Sequence, residues 1–123
     1  MKLTKYSIKR IRETAGHWQV DAEYREPLIN YLVHGFEPGS FWSAVLANDF
    51  RYAIMHSHPA NTVSALKAAT GWIWDAFPGA SRGSSVAVNT WLSMSEAERR
   101  SHLELCCLIY TEREEVEMVL LFD

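Results

Sequence analysis

The chain has no surplus of positive charge. Its Lys and Arg number 12 against 15 Asp and Glu, a formal net charge of −3. Sequence-independent nucleic-acid binding runs on clustered cations and is not the expected activity. Cysteine is nearly absent: there are 2, and they are neighbours, Cys106 and Cys107. Adjacent cysteines on a regular element point apart and rarely bridge, so they read as small apolar core residues of a reduced, cytoplasmic protein. No apolar run approaches the ~18 residues of a membrane-spanning helix, and no signal-peptide pattern opens the chain. Also missing are a Gly-x-Ser-x-Gly elbow and a Gly-x-x-x-x-Gly-Lys-Ser/Thr phosphate loop, so neither a framed nucleophile nor a nucleotide cradle is expected.

What is present suits a folded domain. The 123 residues are 48% hydrophobic and 22% charged, with 5 Trp, 5 Tyr and 5 Phe. That length fits one domain over 1–123, with enough apolar material for a core that needs no disulfide or metal. Aromatics of this number supply either a firm core or a binding surface. Charge is unevenly spread. Lys2, Lys5, Lys9, Arg10 and Arg12 crowd the start, and Glu112, Glu114, Glu115, Glu117 and Asp123 crowd the end. Terminal strands that pair through these charges are the expected arrangement, and a basic arm that binds a partner is the alternative.

Along the chain, 2–24 reads as a hairpin turning at Ala15-Gly16, with a short helix capped by Thr4 as the other reading. Pro27, Leu28, Ile29, Tyr31 and Leu32 predict a helix over about 26–34, closed by Gly35 in the left-handed conformation. Glu37-Pro38-Gly39 predicts a type II turn, after which Ser40 caps a second helix. That helix carries Trp42, Val45, Leu46, Phe50, Ala53 and Ile54 on one face, with Asp49 interrupting it. Val63, Leu66, Thr70, Ile73, Trp74 and Phe77 give a third stripe, which leaves Trp72 to the side. Ser84 or Ser85 caps a short helix with Val88, Trp91 and Leu92. Ser95 to Glu98 forms a capping box. The segment 103–111 fits helix or strand, and Val116 to Phe122 reads as a strand. The expected fold is α+β: four to five helices over about 26–108 with a minor antiparallel sheet from the termini, all-α being the alternative.

Several constellations bear on chemistry. His56-Ser57-His58-Pro59 resembles the His pair of zinc-dependent deubiquitinase-like metalloproteases, and a metal-dependent enzyme using His56 and His58 is the alternative function. The Ser and Asp that complete that pattern fall here on Leu66 and Ala69, which ligate nothing. No cofactor or bound metal is therefore expected. Asp49 is read as a carboxylate that locks a helix junction by accepting backbone N–H groups or pairing with an Arg, since a bare buried charge is costly. Trp72, Trp18 and Arg82 are the candidate partner surface.

His34, Gly35, Pro38, Gly39, Ser40, Phe41, Ala44, Val45, Leu46, Asn48 and Asp49 together resemble a family of small uncharacterised proteins of tailed bacteriophages and prophages. Gly83, Ser84, Val88 and Trp91 match a later family element, whereas Arg82, Ser85 and Val86 depart from it. The resemblance covers roughly 26–92 and implies a phage context without a catalytic residue. The expectation is a non-enzymatic phage accessory protein in the bacterial cytoplasm. It would bind a host or phage protein, as in host takeover or the blocking of a defence, with self-association compatible. A nucleic-acid binder using Lys5, Lys9, Arg10 and Arg12 is the weaker alternative.

Overall fold

The computed structural model describes residues 1–57, 61–111 and 113. In order these form α1 (Lys5–His17), α2 (Ala22–His34), α3 (Ser40–Leu46), α4 (Phe50–His56), α5 (Val63–Ala76), a 3₁₀ turn (Gly79–Ser81), α6 (Ser85–Ser93) and α7 (Glu96–Leu105). No strand occurs among the described residues, so the expected α+β fold with its terminal sheet is corrected to all-α. The strand expected at 116–122 lies outside the described residues. The hairpin over 2–24 is replaced by α1, the turn after it and the start of α2. Its Ala15-Gly16 pair sits inside the last turn of α1, where Ser7, Ile11 and Ala15 recur every four residues and are buried.

Helix ends explain most of the architecture. Three helices stop at a non-glycine residue with positive φ: Gln19 (55°), Asn48 (59°) and Cys107 (61°). In each case the next N–H reaches back to a carbonyl in the helix, Val20 to Ala15, Asp49 to Ala44 and Leu108 to Leu103. This is the Schellman arrangement, which usually takes glycine. Asn48 therefore divides what reads as one helix into α3 and α4. Cys107 ends α7, after which Leu108 and Ile109 enter the core as irregular chain. Side-chain caps begin α4 to α7: Asp49, Thr62 and Ser84 accept from the N–H three residues on, and Ser95 with Glu98 completes a capping box, whereas Thr4 and Asp21 before α1 and α2 make no such bond.

Gly39 has φ 94° and ψ 163°, a region almost confined to glycine and not the type II turn expected, and it rather than Ser40 precedes α3. Gly35 closes α2 at φ 66°. It is needed twice, because a Cβ there would stand 2.8 Å from Nη1 of buried Arg99. Arg99 donates to the carbonyls of Val33 and Met94, tying α7 to the ends of α2 and α6.

The core is aromatic and its polar edges are bonded. Trp72 Nε1 donates to Thr14 Oγ1 at 2.9 Å, Trp91 Nε1 to the Tyr31 carbonyl at 3.1 Å, and Tyr31 OH to the Ser81 carbonyl at 2.8 Å. Burial pushes the Tyr31 phenol well above its usual pKa. Gly71 lets α5 meet the end of α1: a Cβ there would come within 2.4 Å of the Trp18 ring. The small face of α5 thus turns inward with Ala69, Trp72 and Ile73. The reading of the cysteines is corrected as well, since Cys106 is half-buried and Cys107 exposed.

Candidate functional site

The same rotation of α5 that buries Trp72 leaves Val63, Leu66, Thr70 and Trp74 on the other side, one turn apart. Opposite them, the break at Asn48 turns α4 so that only Ala53 is buried in it. Phe50 and Ile54, expected in the core, are 77% and 59% exposed. Between α3, α4 and α5 lies an apolar groove of about 270 Å³. Phe41, Ala44 and Val45 come from α3, Phe50, Ala53 and Ile54 from α4, and Leu66, Thr70 and Trp74 from α5. Asn48, Asp49 and Ser57 supply polar atoms at its margin.

The charged residues at this rim are held locally. The exposed Asp49 carboxylate accepts from the Tyr52 N–H at 3.1 Å, which satisfies an otherwise open donor at the start of α4. The Arg82 guanidinium lies over the Trp74 ring, 4.4 Å from its centroid, and its Nε donates to the Phe77 carbonyl. His56 is exposed and stacks on Tyr52 with centroids 4.7 Å apart. Seven residues of helical rise separate Asp49 from His56, about 10 Å, so the two do not form an acid–base pair. His58 lies outside the described residues. Among the described residues no cluster of three or more His, Cys, Asp or Glu could hold a metal ion.

Of the expected partner surface, Trp72 is corrected outright: it is 0% exposed and belongs to the core. Trp18 is half-buried, its ring against Gly71 and its Nε1 bonded to Asp75 at 2.9 Å. Arg82 is half-buried beside the groove. Sequence reasoning missed Trp74, Phe50, Ile54 and Val63 as surface residues. Asn48-Asp49, a left-handed stop followed by an N-cap, carried the signal, since together they end one helix and start another.

No protein-family model, curated protein or solved structure matches this chain.

The basic start of the chain is partly spent on structure. Arg10 Nε donates to the Cys107 carbonyl at 3.3 Å, and Lys9 pairs with Glu13 at 4.0 Å. Lys5 and Arg12 remain exposed on α1. The acidic residues expected to pair with them lie outside the described residues. Near the start, the Met1 ammonium contacts His34 Nδ1 at 3.1 Å and Glu96 Oε1 at 3.0 Å. Burial first, then this ammonium and Arg99, hold the His34 imidazole below its usual pKa. Among the described residues no helix is long and apolar enough to cross a membrane.

Proposed function

We propose that the chain is a non-enzymatic phage accessory protein that acts in the host cytoplasm by binding a host or phage protein through the groove between α3, α4 and α5. The observation that carries this reading is the apolar surface at that groove. Phe50, Ile54 and Trp74 line it and are all exposed, and the remaining rim is polar. Large exposed apolar patches with polar rims mark interaction sites, and a groove between helices suits an amphipathic helix with anchors one turn apart. The phage context rests on the resemblance carried by His34 to Asp49. The one carboxylate lining the groove, Asp49, is committed to capping α4, which favours binding over catalysis.

The test is capture of a partner from bacterial lysate with wild type, Ile54→Asp and Leu105→Asp. Leu105 is an exposed apolar residue on α7 and serves as the control. A partner retained by wild type and Leu105→Asp but lost by Ile54→Asp supports the reading. A partner held equally by all three, or no specific partner at all, overturns it.

A further inference from the structure

Beside the groove one charged side chain is fixed in place with its bonding end unused. The backbone of Arg82 is held on both sides. The Ser81 carbonyl accepts from Tyr31 OH at 2.8 Å, and the Gly83 N–H donates to the Leu46 carbonyl at 2.7 Å. The guanidinium lies over the Trp74 ring, 4.4 Å from its centroid, and Nε donates to the Phe77 carbonyl at 3.4 Å. That bond leaves the Nη1 and Nη2 donors over. Among the described residues these have no ion-pair or hydrogen-bond partner. We propose that Arg82 is the carboxylate receptor of the groove. It takes an Asp or Glu side chain from an amphipathic helix whose apolar anchors lie against Phe50, Ile54 and Trp74. This rests on the groove being the binding surface, and it names the charge that the partner must carry there.

The chemistry selects the carboxylate. Nη1 and Nη2 form a planar fork that matches the two oxygens of a carboxylate bidentately. Phosphate-bearing segments are read by clusters of arginine, and here a single fork is offered. The indole beneath it and the Nε bond fix the plane of the fork, so little side-chain freedom is lost on binding. Position follows from Trp74, whose ring is both part of the groove wall and the platform for Arg82. A helix that covers Trp74 comes up against the guanidinium and takes away part of its water. A cation covered without an acceptor is costly, so a partner lacking the carboxylate is disfavoured as well as less attracted. Asp49 does not fill this role from within, since it accepts from the Tyr52 N–H and makes no ion pair with Arg82.

The probe is a displayed library of helical peptides with Leu one turn apart and the flanking positions randomised among Glu, Gln and Lys. It is selected on wild type, Arg82→Gln, Arg82→Glu and Arg12→Gln, each checked for helix content by circular dichroism. Arg12, an exposed cation on α1, controls for overall charge. Binders to wild type and Arg12→Gln should carry Glu at one flanking position. Arg82→Gln should show no preference there, and Arg82→Glu should turn it to Lys. As a second measurement, replacing that Glu by Gln in a selected peptide should weaken binding to wild type roughly tenfold or more and make no difference on Arg82→Gln. A wild type that takes Gln or Lys as readily as Glu overturns the proposal, as does a Glu preference kept in Arg82→Gln or lost equally in Arg12→Gln. Failure here is distinct from failure of the groove reading. Binders that ignore Glu yet are lost in Ile54→Asp sink the Arg82 receptor alone. No binder at all, or binders that survive Ile54→Asp, sink the groove and the receptor with it.

Discussion

Trp72 and Trp74 stand two residues apart on α5 and belong to regions built on opposite terms. Around Trp72 the helices are long, 13 residues in α1 and α2 and 14 in α5, and the indole N–H is bonded to Thr14. Around Trp74 the helices are short, 7 residues in each of α3 and α4, and apolar rings face outward under a single guanidinium. Helices of that length do not persist alone, so α3 and α4 depend on their packing and caps. One side of the molecule spends its aromatics on stability, and the other keeps them available for contact. The difference is set by which face of α5 turns inward, and Gly71 under Trp18 decides that.

The comparison breaks most visibly by truncating the two tryptophans. Trp72→Ala empties a fully buried site and removes the indole donor from Thr14, whose hydroxyl keeps its bond to the Ile11 carbonyl, so it should cost about 3–5 kcal/mol in urea unfolding. Trp74→Ala removes a half-exposed ring and should cost about 1 kcal/mol or less while weakening groove binding. Equal losses in the two variants would erase the distinction between the regions.

Next in size is Gly35→Ala, at the end of α2. The added methyl meets both a positive φ and the Arg99 guanidinium, and the variant should lose roughly 2 kcal/mol or more in thermal or urea unfolding. Gly39→Ala has open space around its Cβ, so its loss reports backbone strain alone, at a φ/ψ pair more confined to glycine than that of Gly35. A Gly35→Ala loss of only the ~1 kcal/mol that a left-handed φ costs by itself would show that the Arg99 contact yields freely.

These glycines also mark what could be read from the chain alone. Gly35, the Ser95–Glu98 box and the Ser84 cap were legible because their chemistry is local: a hydroxyl or a missing Cβ acts within one helical turn. Gln19 and Cys107 were not, since nothing in those side chains announces a left-handed stop, and Asn48, a residue that tolerates that conformation, was passed over inside an apolar stripe; the helices they end were read as a hairpin, as a segment open to helix or strand, and as one continuous helix. The groove was hidden for two reasons. The Asn48 break carries Phe50 and Ile54 out of the stripe they share with Trp42 and Val45. The choice between Trp72 and Trp74 depends on Gly71 meeting Trp18 from another helix, a contact that no periodicity within α5 reveals. Of the stripe Val63, Leu66, Thr70, Ile73, Trp74 and Phe77, Ile73 and Phe77 are buried as expected, whereas Val63, Thr70 and Trp74 are exposed.

Asp49→Ala sharpens the contrast from the groove side. It removes the cap of a seven-residue helix and should cost about 1 kcal/mol. Amide exchange should quicken over α4 while α2 and α5 stay protected, because local opening follows local contacts. Uniform acceleration across all helices would mean that α4 is as integral to the fold as the tryptophan core.

The smallest effect belongs to the core side and is read by pH. The folded state holds the His34 imidazole below its ordinary value of 6.5, mainly by burial and then by the Met1 ammonium. The unfolded chain therefore binds a proton first as the solution is acidified. Stability attributable to neutral His34 is fully present above about pH 6.5 and falls away below it, until the folded imidazole protonates too. Glu96, whose carboxyl is lowered by its hydrogen bond to the same ammonium, adds a second loss that begins only below its ordinary 4.5. The urea midpoint should accordingly decline between about pH 7 and 5 in wild type and run flatter over that interval in His34→Gln, with the loss below pH ~4.5 kept in both. A wild-type midpoint that stays level or rises as pH drops from 7 to 5 would place the His34 contacts outside the balance that holds α2 to α7.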